Sequence, residues 1–209
     1  MPTRLITLGA LFLALGLLIP LLFHLLGLGA AFLPMHIPVM LAGFLLGPAF
    51  GAGIGALSPL LSALLTGMPP LMPPVAQTMI LELAAYGGLA GLAYQRWRWG
   101  IYPALLLAML GGRLVYGLVG YFLLPLFGLK QIALFYPLTY GLVTALPGIA
   151  LQLVLIPAVV WLAVKNHGPL FGFGALAAGG HAGTGAGVDE QASGSVDVRP
   201  QSRPQSGKE

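Results

Sequence analysis

Glu82 is the only acidic residue among the first 188 of this 209-residue chain. It sits in an apolar run, Val75-Ala-Gln-Thr-Met-Ile-Leu-Glu-Leu-Ala-Ala-Tyr-Gly-Gly. A second apolar run, residues 102–125, holds an equally isolated Arg113. A charge at membrane depth costs about 2.5 kcal/mol or more, so such residues pair with one another or serve a polar solute. Two uses of the pair follow. In one, Glu82 and Arg113 form a buried ion pair that fixes helix register. In the other they form a substrate site: Arg113 receives a carboxylate or phosphate through its planar fork, and Glu82 accepts from an amine, amide or hydroxyl or keeps Arg113 oriented when the site is empty. The two uses are compatible.

Helical spacing extends the polar set. Thr78, Glu82 and Tyr86 lie at i, i+4 and i+8, on one face, with Gln77 beside it. Arg113, Tyr116, Gly117 and Gly120 share a face of the next helix, and Tyr140, Thr144, Gly148 and Gln152 form a broader stripe on the one after. Polar faces in a membrane bundle point inward, so these three are expected to line one chamber. His36 stands in Pro-Met-His-Ile-Pro, expected to be a loop at the outer mouth. It is either a hydrogen-bonding structural residue or a ligand for the solute. His24 and His167 carry no comparable context. No grouping of His, Asp or Glu suggests a metal, and neither a nucleophile elbow, a phosphate loop nor a zinc-protease motif occurs. The catalytic inventory argues against an enzyme and for no cofactor. An intramembrane enzyme using Glu82 with His36 is the chemical alternative, and needs both within reach of one substrate atom.

The elements that position these residues are spans. The composition is 58% hydrophobic and 7% charged, against about one quarter charged in soluble domains. The pattern predicts an all-α integral membrane protein, a bundle of six transmembrane helices. The first span covers residues 5–26, too long for the core of a signal peptide. Residues 38–66 are apolar throughout; as one helix they would run about 43 Å, too long for a core of about 30 Å. Gly47-Pro48 divides them, because proline disfavours helix at the residue before it. The short first part, 38–46, must tilt, thin the bilayer or hide inside the bundle. Four prolines stiffen the loop 67–74. The remaining spans are 75–94, 101–126 and 137–164.

Residues 1–166 carry six Lys/Arg and one acid. With six spans, Arg4, Arg96, Arg98 and Lys165 fall on one side and Lys130 alone on the other, so the positive-inside rule makes both termini cytoplasmic. The basic surplus marks loops and gives no nucleic-acid patch. The absence of cysteine excludes disulfides and thiolate metal sites and fits a bacterial inner membrane. Residues 167–209, rich in Gly, Ala and Ser and then polar, read as a disordered cytoplasmic tail. Small residues recur at helical spacing, at Thr7, Ala10 and Ala14 and at Gly51, Gly55, Ser58, Ser62 and Thr66. Such faces serve close packing, within the bundle or against another protein.

Several segments together resemble the substrate-binding S components of energy-coupling factor (ECF) vitamin transporters. They are Leu33-Pro-Met-His-Ile-Pro-Val-Met-Leu-Ala-Gly-Phe-Leu-Leu-Gly-Pro48, Gly51-Ala-Gly-Ile-Gly55, Leu65-Thr-Gly-Met-Pro-Pro70, Glu82-Leu-Ala-Ala-Tyr-Gly87 and Gly112-Arg-Leu-Val-Tyr-Gly117. The likeness covers about residues 5–165 and leaves out the tail. It implies a subunit that captures a vitamin or related micronutrient outside and delivers it inward with a transmembrane T component and two cytoplasmic ATPases. It also implies that Ala10 and Ala14 dock on the T component, and that the pocket lies among the last three helices and the first and third loops. The substrate site expected from both lines is His36, Gln77, Glu82, Tyr86, Arg113, Tyr116, Tyr140 and Thr144. Arg113 favours a carboxylate vitamin such as pantothenate, niacin or biotin. The alternatives are a stand-alone small-solute transporter or channel, which predicts internal repeats, and a purely structural assembly subunit.

Overall fold

The computed structural model describes residues 2–27, 32–71, 75–126, 128, 143 and 145–167. Among the described residues there are six α-helices and no strand. They are α1 Pro2–Leu25, α2 His36–Leu46, α3 Pro48–Thr66, α4 Val75–Gly91, α5 Ile101–Leu126 and α6 Leu146–His167. A single π turn, Leu92–Arg96, continues α4. Five of these segments are long and apolar enough to cross a membrane; α2, at 11 residues, is not. The predicted boundaries hold within a few residues, with two differences. The fourth span runs on to Arg96 through the π turn. His36 and Ile37, expected in a loop, are the first residues of α2. The start predicted for the sixth span, 137–142, lies outside the described residues, as does the tail from 168 onward.

The break at Gly47 is a reversal of direction. Gly47 has φ 103 and ψ 173, a conformation open to glycine, and Pro48 begins α3 at the position where a missing N–H costs nothing. Gly43 and Gly51, four residues to either side, come together: a Cβ on Gly51 would lie 2.6 Å from the Gly43 Cα. Hence α2 and α3 form a tight helical hairpin. Gln95, from the π turn, donates from Nε2 to the Phe44 carbonyl at 2.8 Å. That carbonyl belongs to the last turn of α2, where no intrahelical donor is left. Tyr94 meets the Phe44 ring edge-on at 5.2 Å.

Glycines set the distances between the helices. A Cβ on Gly51 or Gly43 would collide with the Gly87 carbonyl, one on Gly87 with the Gly51 carbonyl, and one on Gly55 with the Leu83 carbonyl. The small-residue stripe of α3 therefore serves internal packing, Gly51 and Gly55 against α4 and Ser58 against α1; these and Ser62 are buried, while Thr66 is exposed. The same contacts give directions. Pairing of 51 with 87 and of 55 with 83 makes α3 and α4 antiparallel. Gly9 faces Phe50 and Gly16 faces Ser58, so α1 runs parallel to α3. Gly111 faces Leu89 and Gly112 faces Tyr86, so α5 runs antiparallel to α4. Arg4, Arg96 and Arg98 thus lie toward one end of the bundle, with the Gly47 turn.

All eleven residues of α2 are buried. An apolar helix about 16 Å long with no exposed side belongs inside a bundle. It packs against α1, α3, α4 and α6 and supplies the centre of the core, where Val39, Met40, Ala42 and Phe44 are fully buried. Of the three ways a short segment can be accommodated, the chain hides it. That fixes the start of α2, and so His36, inside the protein.

Candidate functional site

The two isolated charges meet. Glu82 on α4 accepts from Arg113 on α5, Nη1 to Oε1, at 3.2 Å. The Glu82 side chain is 4% exposed and that of Arg113 11%. The antiparallel packing of α4 on α5 brings them into register, and glycine makes the approach possible: a Cβ on Gly112 would penetrate the Tyr86 ring.

His36 joins them from a third helix. It is 3% exposed, with Nε2 at 3.9 Å from Glu82 Oε1, beyond hydrogen-bond range. Its ring stands edge-on to Tyr86, 4.7 Å between centroids and 79° between planes. Neither His36 nitrogen has a hydrogen-bond partner. A buried polar group without a partner costs about 1–3 kcal/mol, and such groups in native structures call for an explanation. The cluster His36–Glu82–Tyr86–Arg113 is thus an acid, a base, a titratable ring and a phenol drawn from α2, α4 and α5. Its members can orient an ion or a polar solute, and two ring nitrogens remain available.

The other expected site residues fall into three groups. Gln77 is half-buried at the first turn of α4 and donates to the Leu71 carbonyl at 3.0 Å, while its Oε1 is buried without a partner. It ties down the end of the proline-rich loop. The other end is held by Ser62, whose hydroxyl donates to the Met68 carbonyl at 2.7 Å. Tyr116 is half-buried one turn beyond Arg113 on α5. Tyr140 and Thr144 lie outside the described residues. Ala10 and Ala14 are exposed on α1 together with Thr7.

Gln152 on α6, seen in the sequence only as the end of a polar stripe, is 1% exposed with an unpartnered Nε2. Gln95 falls between the predicted spans 75–94 and 101–126, and its sequence context gives no sign that it reaches Phe44, 51 positions away. Among the described residues no group of three or more His, Cys, Asp or Glu could hold a metal.

Comparison with curated proteins and with solved structures returned no match. Comparison with protein families did: the family described as ECF transporter, substrate-specific component matches residues 4–160. That stretch takes in four of the six helices whole, most of α1 and α6, and every member of the buried cluster, and the chain belongs to that family of multi-pass membrane transport components.

Proposed function

We propose that this chain is the S component of an ECF-type importer for a small anionic micronutrient, and that the His36–Glu82–Tyr86–Arg113 cluster holds the solute. The observation that carries the reading is the buried contact of Arg113 with Glu82, beside a histidine whose nitrogens have no partner. A carboxylate or phosphate takes the Arg113 fork, which matches planar anions. Tyr86, Tyr116, Tyr140 and Thr144 supply walls and hydroxyls, in keeping with pockets that are mostly apolar with few polar groups. Gln77 acts at the rim, through the loop it holds.

Six spans, both termini cytoplasmic and a bacterial plasma membrane complete the proposal. The common end of Arg4, Arg96 and Arg98 supports this orientation by the positive-inside rule. It puts the start of α2 toward the outside, where a solute enters. Energy would come from a T component and two ATPases, with Ala10 and Ala14 as the docking face: they are exposed while the comparable stripe on α3 is consumed in packing. Residues 167–209 are proposed to be a cytoplasmic extension outside the transport unit.

Native mass spectrometry of protein purified from cells grown in rich medium tests the binding function. The expected result is one anionic small molecule bound to the chain, absent from a Glu82→Gln/Arg113→Gln double variant that removes both charges together. A bound cation, or the same anion retained by the double variant, would overturn the assignment.

A further inference from the structure

With Glu82 and Arg113 paired, their opposite charges offset each other. Arrival of an anion on Arg113 leaves two negative groups and one positive group inside a bundle, and an uncompensated buried charge costs several kcal/mol. Among the described residues no other Lys or Arg is at hand: Arg4, Arg96, Arg98 and Lys165 are exposed. Among the described residues, compensation is left to a group that can change its own charge.

His36 is built for that. Its Nε2 lies 3.9 Å from Glu82 Oε1, so a movement of about 1 Å gives a charge-assisted hydrogen bond of ordinary length. Both nitrogens are unpartnered, so an added proton displaces no existing bond. Histidine is also the side chain that changes charge near neutral pH.

Among the described residues no carboxylate, Lys or Arg other than Glu82 and Arg113 lies near His36. From α4, His36 is faced by Glu82 and Tyr86, and from α5 Arg113 reaches the same Glu82 oxygen. α3 has no titratable residue, α1 has only Arg4 and His24, both exposed, and α6 has only Lys165 and His167, in its last turn. Tyr94 of the π turn lies at the opposite end of α2, beside Phe44, and Arg96 ends the same turn. Glu82 is the only acid before residue 189, so it is the one partner a protonated His36 can find in the bundle.

We propose that His36 is a proton-binding site coupled to the substrate. When an anionic group takes Arg113, one proton from solvent enters on a His36 nitrogen, and the imidazolium replaces Arg113 as the partner of Glu82. The solute is then bound as anion plus proton, and the charges again offset one another. This rests on the anionic reading given above and adds the stoichiometry of the proton and the residue that carries it.

Isothermal titration calorimetry of the purified full chain tests it, with pantothenate, nicotinate and biotin as separate probes, each in HEPES and in Tris at the same neutral pH. All three probes are ionised carboxylates there. A probe that binds is expected to take up close to one proton, seen as a heat that differs between the buffers, with affinity falling up to about tenfold per pH unit as pH rises. His36→Gln is expected to abolish the uptake and flatten the pH dependence of the affinity that remains. Binding without buffer-dependent heat in the unaltered protein overturns the proton coupling and leaves the anionic reading standing. Proton uptake that persists in His36→Gln overturns the assignment to His36. Failure of all three probes to bind counts against the anionic reading itself, and the coupling falls with it.

Discussion

Gly51 on α3 and Gly87 on α4 oppose each other so closely that a Cβ on either would enter the backbone carbonyl of the other. The contact is backbone against backbone, so no side-chain rotation relieves an added methyl group. Replacing Gly87 with alanine is expected to destabilise the folded protein by about 1–3 kcal/mol, the usual range for overpacking. Gly88→Ala is the control, because its Cβ would meet only the Ala52 Cβ at an ordinary 3.4 Å. Thermal unfolding in detergent should show a clear loss for the first variant and little for the second. Equal behaviour would contradict the close approach.

The charged pair predicts a non-additive pattern. Glu82→Gln leaves Arg113 buried without its counter-ion, and breaking a buried pair from one side costs about 3–5 kcal/mol. Glu82→Gln/Arg113→Gln removes both charges and should recover most of that stability while abolishing anion binding. Unfolding measurements on the two single variants and the double variant give the coupling directly. Additive losses would mean that the contact at 3.2 Å contributes little to folding.

Ala10 and Ala14 allow docking to be separated from capture. Both are exposed, so leucine at both positions is accommodated within the isolated chain. Solute binding by the purified variant should match that of the parent protein, while uptake into cells that supply the T component and ATPases is lost. Uptake at the parental rate would place the docking face elsewhere.

Gln77 should act through the loop it holds. Gln77→Leu removes the donor to the Leu71 carbonyl and is expected to cost about 1 kcal/mol in stability, typical of one hydrogen bond. Because the loop stays tied to Ser62 at its other end, the solute should dissociate several-fold faster with little change in association rate. Stopped-flow release kinetics distinguish this from direct contact with the solute, for which the equilibrium loss would be much larger.

The helical spans could be read from apolar length and proline punctuation, because bilayer thickness constrains both. The Gly47-Pro48 break could be read for the same reason, and so could the encounter of Glu82 with Arg113, since each is the only charge on its helix. His36 could not be placed. Pro34 and Pro38 around it resemble a loop, whereas proline is tolerated in the first turn of a helix, and α2 begins at His36 itself. Its burial follows from α2 being surrounded, which no local signal records. The packing role of Gly51 and Gly55 was one of two readings of a small-residue stripe; only the opposing glycine, Gly87, decides between them. The Gln95–Phe44 bond spans 51 positions, and polar residues near a helix end are common enough to give no warning of it.

That bond gives α2 a mechanical role. The helix is a rigid strut about 16 Å long, with His36 at one end and the Phe44 carbonyl, gripped by Gln95, near the other. The grip comes from the π turn that leads into Arg96 and Trp97. Anything that shifts this turn must either break the Gln95 bond or drag the strut, and a dragged strut moves His36 against Glu82. The turn at the Arg96 end of the bundle and the charged cluster at the other end are thereby joined through one buried helix.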